Sequence, residues 1–420
     1  MADRYWILDS GTWNNINTSN WSSSLPLSFT ASRSGSLLTT VGSPALVVGM
    51  TLYDATNTSK GTIVSGSGNT WTTSGGGTIT SQTCVAANPN ASVPTAADNV
   101  FFNATSNTGT NSFTVTMASA PRLCNNFTAS GLDGTMTLAG GSTIAFNVSG
   151  SLTFQATNFT RSYIGITLFN ATTTGKTVTT NGVAFGGDVT FNGVGGAWTL
   201  GSALTTGTGN ATTLINGTLD LNGFTYTAGT DFTTATGTKN LTFNGGTLVC
   251  PAATTTAFWN LSPTGFTTTA GTGTGAISMT AATAKTFVGG GSTFNCTLNQ
   301  GGLGALTITG SNTFSNITNT VQPASVLFTA GTTSTFTSFS LSGTAGNLIT
   351  IGSVTTASHT LSKASGTVSS DYLSISRSTA TGGAGWYAGA NSTDGGNNSG
   401  WIFTAPPAPS VGNGNFLMFF

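Results

Sequence analysis

Val189-Thr190-Phe191-Asn192-Gly193, Leu219-Asp220-Leu221-Asn222-Gly223 and Leu241-Thr242-Phe243-Asn244-Gly245 decide how this chain of 420 residues is read. Each run alternates a large apolar residue with a small polar one and stops on Asn-Gly. The asparagines fall 30 and then 22 residues apart, and Ser292-Thr293-Phe294-Asn295 repeats the pattern 51 residues further on, close to two steps. Ala145-Phe146-Asn147 lies 45 residues before Asn192, again about two steps. Alternation places Phe, Leu, Ile and Val on one side of a strand and Thr or Ser on the other. Units of about 20 to 30 residues that cannot bury their apolar face alone read as a solenoid.

The same alternation runs through Leu152-Thr153-Phe154, Leu306-Thr307-Ile308-Thr309 and Phe339-Ser340-Leu341. A stack of such strands puts the first set inside and β-branched Thr outside, where it suits an exposed strand. Gly and Asn belong at the corners, because turn residues must tolerate positive φ. The expected fold is therefore all-β: a parallel β-helix over residues 94–370. Residues 100–385 would supply roughly a dozen rungs, a rod about 60 Å long. A sandwich or a row of small β-domains is the alternative, since register is not written in one sequence.

Composition supports a folded, chemically quiet chain. Charged residues make up 5% and cancel to zero net charge, every acid is Asp, aromatics reach 10%, and Gly numbers 58. Disorder goes with high charge and few aromatics, the opposite of this. Nucleic-acid binding needs a basic stripe that ten scattered cations do not make. Helix formers are scarce, and no apolar run approaches the ~20 residues of a membrane span. The opening MADRYWILDS carries no basic-then-apolar pattern of a secretory signal.

The side chains able to carry chemistry complete no catalytic or metal motif. Cys84, Cys124, Cys250 and Cys296 form no Cys-x-x-Cys pair and read as small buried apolar residues rather than zinc ligands or bridges. Asp188, Asp220 and Asp231 lie in the repeats, where stacking could bring Asp188 near Asp220 as the carboxylate pair of a polysaccharide-cleaving enzyme. Both flank Asn-Gly strands, so solvated surface positions are the expected reading. His359, the only histidine, sits in Ala357-Ser358-His359-Thr360 with no nucleophile-elbow signature. It is expected on a surface or strand. Gly289 to Gly291 lack the Gly-Lys-Ser/Thr ending of a phosphate loop. The Asn-x-Ser/Thr sequons, such as Asn17-Thr18-Ser19, follow from composition. No catalytic residue, cofactor or metal is expected.

Two end segments carry a resemblance. Tyr5, Trp6, Trp13 and Trp21 cluster near the start. Gly11-Thr12-Trp13, Asn20-Trp21 and Pro94-Thr95-Ala96-Ala97-Asp98-Asn99-Val100 resemble the opening of β-helical surface proteins of bacteria and phages. In those, Gly-x-Trp, Asn-Trp and Pro-x-x-x-Asp-x-Val form the first coil, which implies a cap over residues 1–25. Here some 70 residues part Trp21 from Pro94. That stretch reads as an inserted module over 26–93, built of four short strands in Leu46 to Tyr53, Lys60 to Val64, Asn69 to Thr73 and Gly77 to Thr80. Gly/Ser/Asn turns between them suggest an antiparallel β-domain or barrel, similar to modules of phage structural proteins. It reads equally as a contact knob or as a longer loop packed on the cap.

Residues 371–404 are similar to a closing module of Thr/Gly-rich repeat proteins from phages and environmental bacteria. Trp386 and Trp401 bracket Asp394-Gly395-Gly396-Asn397-Asn398. One carboxylate is a poor offer to Ca²⁺, so an Asx-turn clamp holding the two Trp together is expected. Residues 405–420 then give a Pro-rich linker, Ala405-Pro406-Pro407-Ala408-Pro409, and an apolar tail, Phe416-Leu417-Met418-Phe419-Phe420. The spacer would let that tail dock on a neighbouring subunit or particle protein.

The resemblance implies a non-enzymatic virion protein of a tailed phage, an exposed fibre, spike or capsid-surface (decoration) component assembled in the host cytoplasm. Trimeric homo-oligomers, contacts with other virion proteins through the tail and adhesion to host-surface glycans follow from that class. A bacterial adhesin or sheath protein with the same rod, or a polysaccharide-degrading tailspike, are the alternatives.

Overall fold

The computed structural model describes every residue except 8, 9, 15, 17, 108–110, 120, 252–256, 262 and 409–420. Its elements are all strands, and the contacts divide the chain into two compact units, Met1–Ser278 and Met279–Phe420. Both contain stacked parallel strands, so the chain is a β-solenoid with a small closed antiparallel barrel inserted in its first unit.

In the first unit the strands Phe146–Val148, Thr167–Phe169, Val189–Leu200, Thr212–Asp220, Phe232–Thr234 and Phe258–Asn260 follow one another in parallel. Phe146, Thr167, Val189, Thr212, Phe232 and Phe258 share one column, in steps of 20 to 26 residues. Alternation decides what faces in. Leu152 and Phe154 are buried while Thr153 between them is partly exposed. Phe102, Phe127, Phe146 and Phe154 then meet ring to ring at 5.4 to 5.7 Å, each ring bridging neighbouring coils. Such contacts add to the burial of area that drives the stack.

The Trp cluster closes the first coil. Asp3–Trp6 pairs in parallel with Asn99–Phe102 on one edge and antiparallel with Trp21–Ser22 on the other. Trp6, Trp13 and Trp21 are completely buried, with Trp21 edge-on to Trp6 at 5.0 Å and to Trp13 at 5.4 Å. Gly11 is required here, since a Cβ would come within 2.9 Å of the Trp6 ring and 2.8 Å of Asn20. Asp98 ties the motif together. Its carboxylate accepts from the Thr95 amide at 3.0 Å, the Thr95 hydroxyl at 2.8 Å and the Ala2 amide at 3.2 Å.

Between Trp21 and Pro94 the chain forms a six-stranded closed barrel from Leu27–Ser34, Leu37–Thr40, Thr51–Tyr53, Ser59–Ser67, Thr70–Thr73 and Ile79–Ala87. It has its own core, in which Phe29, Leu38, Met50, Leu52, Ile63 and Trp71 are buried. Chain entry and exit are side by side: the Ser23 amide donates to Asn88 O, and Asn88 Nδ2 donates to Ser24 Oγ at 2.8 Å.

The second unit is three-sided. One sheet contains Lys285–Val288, Leu306–Thr309, Ala324–Phe328, Ile349–Ser353, Leu373–Ile375 and Thr393–Asp394. A second contains Thr293–Gln300, Thr313–Asn319, Thr333–Phe336, His359–Ser362 and Ser378–Thr381. Thr367–Ser369, Gly385–Tyr387 and Trp401–Ile402 make the third. Phe294, Phe314 and Phe336 stack face to face up the interior at 5.3 and 5.9 Å. Trp386 and Trp401 pair across adjacent strands with ring centres 5.1 Å apart.

The repeated Asn-Gly motif mixes two structural positions. Asn222 and Asn244 are coil corners, with φ of 49° and 46°. Asn192 instead lies inside the long strand Val189–Leu200 and pairs with Asn216.

Candidate functional site

The scarce charges have a definite use. Among the described residues only two ion pairs form, Arg4 with Asp98 and Lys60 with Asp54. Several other cations donate to backbone carbonyls where the chain leaves the strand ladder. Lys285 Nζ reaches Ala281 O at 3.0 Å, Gly302 O at 3.3 Å and Gly304 O at 2.6 Å, and burial pushes its pKa down to about 8. Lys363 Nζ donates to Thr337 O and Ser365 O, both at 2.8 Å. The Arg33 guanidinium, buried in the barrel, donates to Lys60 O, Gly75 O, Gly76 O and Gly77 O. Buried turn carbonyls need donors, and a cation satisfies several at once.

The same device floors a groove of about 380 Å³ in the first unit. Its wall is a bulge, Asn192 to Gly196, that interrupts the register between Val189–Leu200 and Thr212–Asp220. Gly193 and Gly196 are forced there, because a Cβ on either would meet Ala171 O at 1.7 or 2.0 Å. Val194 at the tip is 71% exposed. The groove runs across successive coils past Ala197, Thr218, Asn240 and Thr267, which share one outward column. Asn240 organises the polar side. Its Nδ2 donates to Thr242 Oγ1 at 2.8 Å, and its Oδ1 accepts from Thr267 Oγ1 at 2.9 Å and Thr269 Oγ1 at 3.2 Å. Lys239 lies beneath, with Nζ donating to Gly237 O and Thr264 O and its pKa lowered by burial. A volume of this size suits a small or extended ligand, and the lining offers hydroxyls and an amide with one apolar lip.

The carboxylates expected as a possible pair are kept apart. Asp188 adjoins Val189, which pairs with Thr212, whereas Asp220 pairs with Thr199 near the other end of the same strands. Asp188 accepts from the Ala211 amide at 2.8 Å. Asp220 accepts from the Asn222 amide and from Asn244 Nδ2 at 2.8 to 2.9 Å. Asp231 accepts from the hydroxyls of Thr230 and Thr233. Each acid braces a corner of the coil.

His359 belongs to a strand and is fully buried, so a surface position is excluded. Its ring stacks on Phe328 at 4.7 Å, its Nδ1 lies 2.9 Å from Ser353 Oγ, and burial lowers its pKa to about 4. All four cysteines are buried and free. Burial pushes the Cys84 thiol up to about 11, with Asp54 adding to the rise, and raises Cys124 and Cys250 as well. Asp394 forms an Asx turn, accepting from the Gly396 amide at 2.9 Å and from Asn398 Nδ2 at 2.6 Å. Asn398 carries the clamp onward, donating to Ile375 O and accepting from the Ser378 amide. Among the described residues no group of three or more His, Cys or Asp side chains could hold a metal ion, and no helix is long and apolar enough to cross a membrane. The tail Phe416, Leu417, Met418, Phe419 and Phe420 lies outside the described residues.

Neither the groove nor the carbonyl-bound cations were predicted from the sequence. The only local signal is the run Asn192-Gly193-Val194-Gly195-Gly196, which puts an apolar residue among glycines too close-set for a regular strand. No protein-family model, no curated protein and no solved structure matches the chain.

Proposed function

We propose that the chain is a non-enzymatic structural protein of a tailed-phage particle, an exposed fibre, spike or capsid-surface component that touches the host surface. The observation that carries this reading is the division of labour in the coils. Apolar residues close the interior, six of the ten cations donate to the chain's own backbone carbonyls, and the acids of the repeats brace corners instead of meeting in a site. What remains outward is largely uncharged, hydroxyls and amides with scattered apolar side chains such as Val194, Leu261 and Leu303, a surface that gains little from ions and keeps its character across salt conditions. The end segments that resemble phage repeat proteins point the same way. The groove beside Val194 is the favoured place for contact with host glycans, since it is concave and lined with hydrogen-bonding groups. Homo-oligomers and docking through Phe416 to Phe420 belong to the same proposal, on sequence grounds.

The test is immunogold labelling of purified particles with antibodies to the folded chain. Gold on the particle exterior is the expected result. Label confined to the bacterial envelope, with none on particles, would transfer the chain to an adhesin or sheath. Release of oligosaccharide from host capsule or lipopolysaccharide by the pure protein would overturn the non-enzymatic part.

A further inference from the structure

The second unit carries one face of unusual regularity. In the sheet from Thr293–Gln300 to Ser378–Thr381, the outward residues Thr293, Thr313, Thr335, Ser362 and Thr381 occupy one column, strand after strand. Thr333, Thr360, Thr379 and Ser399 make a second column two residues along. Every position in both columns is a hydroxyl. From Thr313 onward the pairing is one to one, with no bulge to break the repeat. Strands lie about 4.8 Å apart and two residues advance roughly 6.7 Å, so the hydroxyls mark out a rectangular lattice.

Other faces lack this order. The neighbouring sheet of the same unit interrupts its outward hydroxyls with Val288, Leu327 and Gly352. In the first unit, outward side chains often satisfy one another, as Thr137 does Thr160 and Asn240 does Thr267 and Thr269. Thr313, Thr333, Thr335, Thr360, Ser362 and Thr379 spend no side-chain hydrogen bond on the protein among the described residues, whereas Thr381 donates to Leu361 O.

We infer that this face adsorbs to ice, the ordered solid whose surface oxygens repeat in two dimensions. A hydroxyl that binds a dissolved ligand gives up a water bond of similar strength, so each contact gains only about 0.5–1.5 kcal/mol. A partner with a few groups gains little from such a surface. A solid that matches the lattice row by row adds these small terms with no further loss of rotational freedom. Thr fits this use better than Ser or Asn: its β-branched side chain holds few rotamers, and its methyl packs against ordered water while its hydroxyl anchors it. No aromatic ring, amide or charged group stands within the two columns, which are the groups that recognise a single sugar or ion. The inference is independent of the virion reading.

The experiment grows ice slowly from a solution of the folded full-length chain and measures how much protein enters the solid, beside a protein of equal size that does not bind ice. Several-fold enrichment in the ice is expected. Thr335→Tyr and Thr360→Tyr, at the centre of the lattice, should each return it to background, while Thr213→Tyr on an outward strand of the first unit should leave it unchanged. Circular dichroism of all three variants should match the parent. Exclusion of the parent from ice, or equal uptake of the lattice variants, would overturn the inference. So would adsorption to microcrystalline cellulose or chitin without enrichment in ice, which would assign the lattice to an ordered polysaccharide instead.

Discussion

The barrel at Leu27–Ala87 and the coils that follow from Asn99 bury apolar side chains by opposite strategies. The barrel pairs every strand edge with another of its own strands, so it has no open edge to protect. A coil does the reverse. Its strands pair only with the coils before and after, as Phe127 does with Val100 on one side and Leu152 on the other. Stability in the barrel is therefore local, whereas stability in the coils is shared between neighbours. A defect in one should stay put; a defect in the other should spread.

The largest test of that contrast is a pair of truncations. Phe146 is buried against Phe127, Trp13 and Tyr163, rings from other coils and from the cap. Phe146→Ala should cost about 3–5 kcal/mol, the usual range for emptying an aromatic site. Leu38→Ala, deep in the barrel, should cost a similar amount. The readout is peptide-level hydrogen exchange. Loss of protection should extend over several coils for Phe146→Ala, and should stop at the barrel strands for Leu38→Ala. Equal spreading in both variants would abolish the distinction.

Acid should separate the same two architectures. His359 titrates near 4 in its buried site against 6.5 when exposed, because burial disfavours the cation. The unfolded chain thus binds a proton that the folded one refuses, and stability falls as pH drops from 6.5 to 4. The full loss is about 3 kcal/mol. In the barrel, burial would raise the pKa of Asp54, but bonds from Lys60, Thr56 and Thr58 outweigh it and hold the value at about 2. Its contribution is kept until pH falls below 3.8 and fades toward 2. Denaturant midpoints measured from pH 7 to pH 3 should therefore decline first in the second unit, and His359→Phe should remove the early decline.

How much of this was visible in the letters follows from the range of each interaction. Alternation is a nearest-neighbour property, so Leu152-Thr153-Phe154 announces its inward and outward faces unaided. Corners at Asn222 and Asn244 are equally local, since each is an Asn-Gly with positive φ. Asn192 has the same letters and a different fate, because carbonyls of the preceding coil decide where the glycines beside it can lie. The fates of Lys239 and Lys285 are less legible still. A lysine before Asn-Leu-Thr or Thr-Phe-Val looks solvated, and the Thr264 and Gly304 carbonyls that hold it come from 25 and 19 residues away. His359 lies in a strand as one of its two expected placements, but its burial is illegible for the same reason: its surroundings are Phe328, Ser353 and the Arg377 carbonyl, none adjacent to it in sequence. Chemistry carried by coil-to-coil approach escapes a reading whose unit is the single strand.

The smallest expected effect is the sharpest test of independence. Because Ser24 and Asn88 already touch, removing residues 25–87 and joining them directly asks the coils to change almost nothing. What is lost is one small apolar contact, where Tyr53 and Ala87 cover Ile7 beside the Trp cluster. Exposing that patch should cost about 1 kcal/mol by the area it uncovers. The shortened chain should keep the cooperative melt of the coils and the tryptophan emission of Trp6, Trp13 and Trp21. Residues 25–88 made alone should fold around Leu38, Leu52 and Trp71. Collapse of the coils on excision would mean that the barrel is part of the cap, and the division between a self-sufficient module and a mutually dependent stack would be lost.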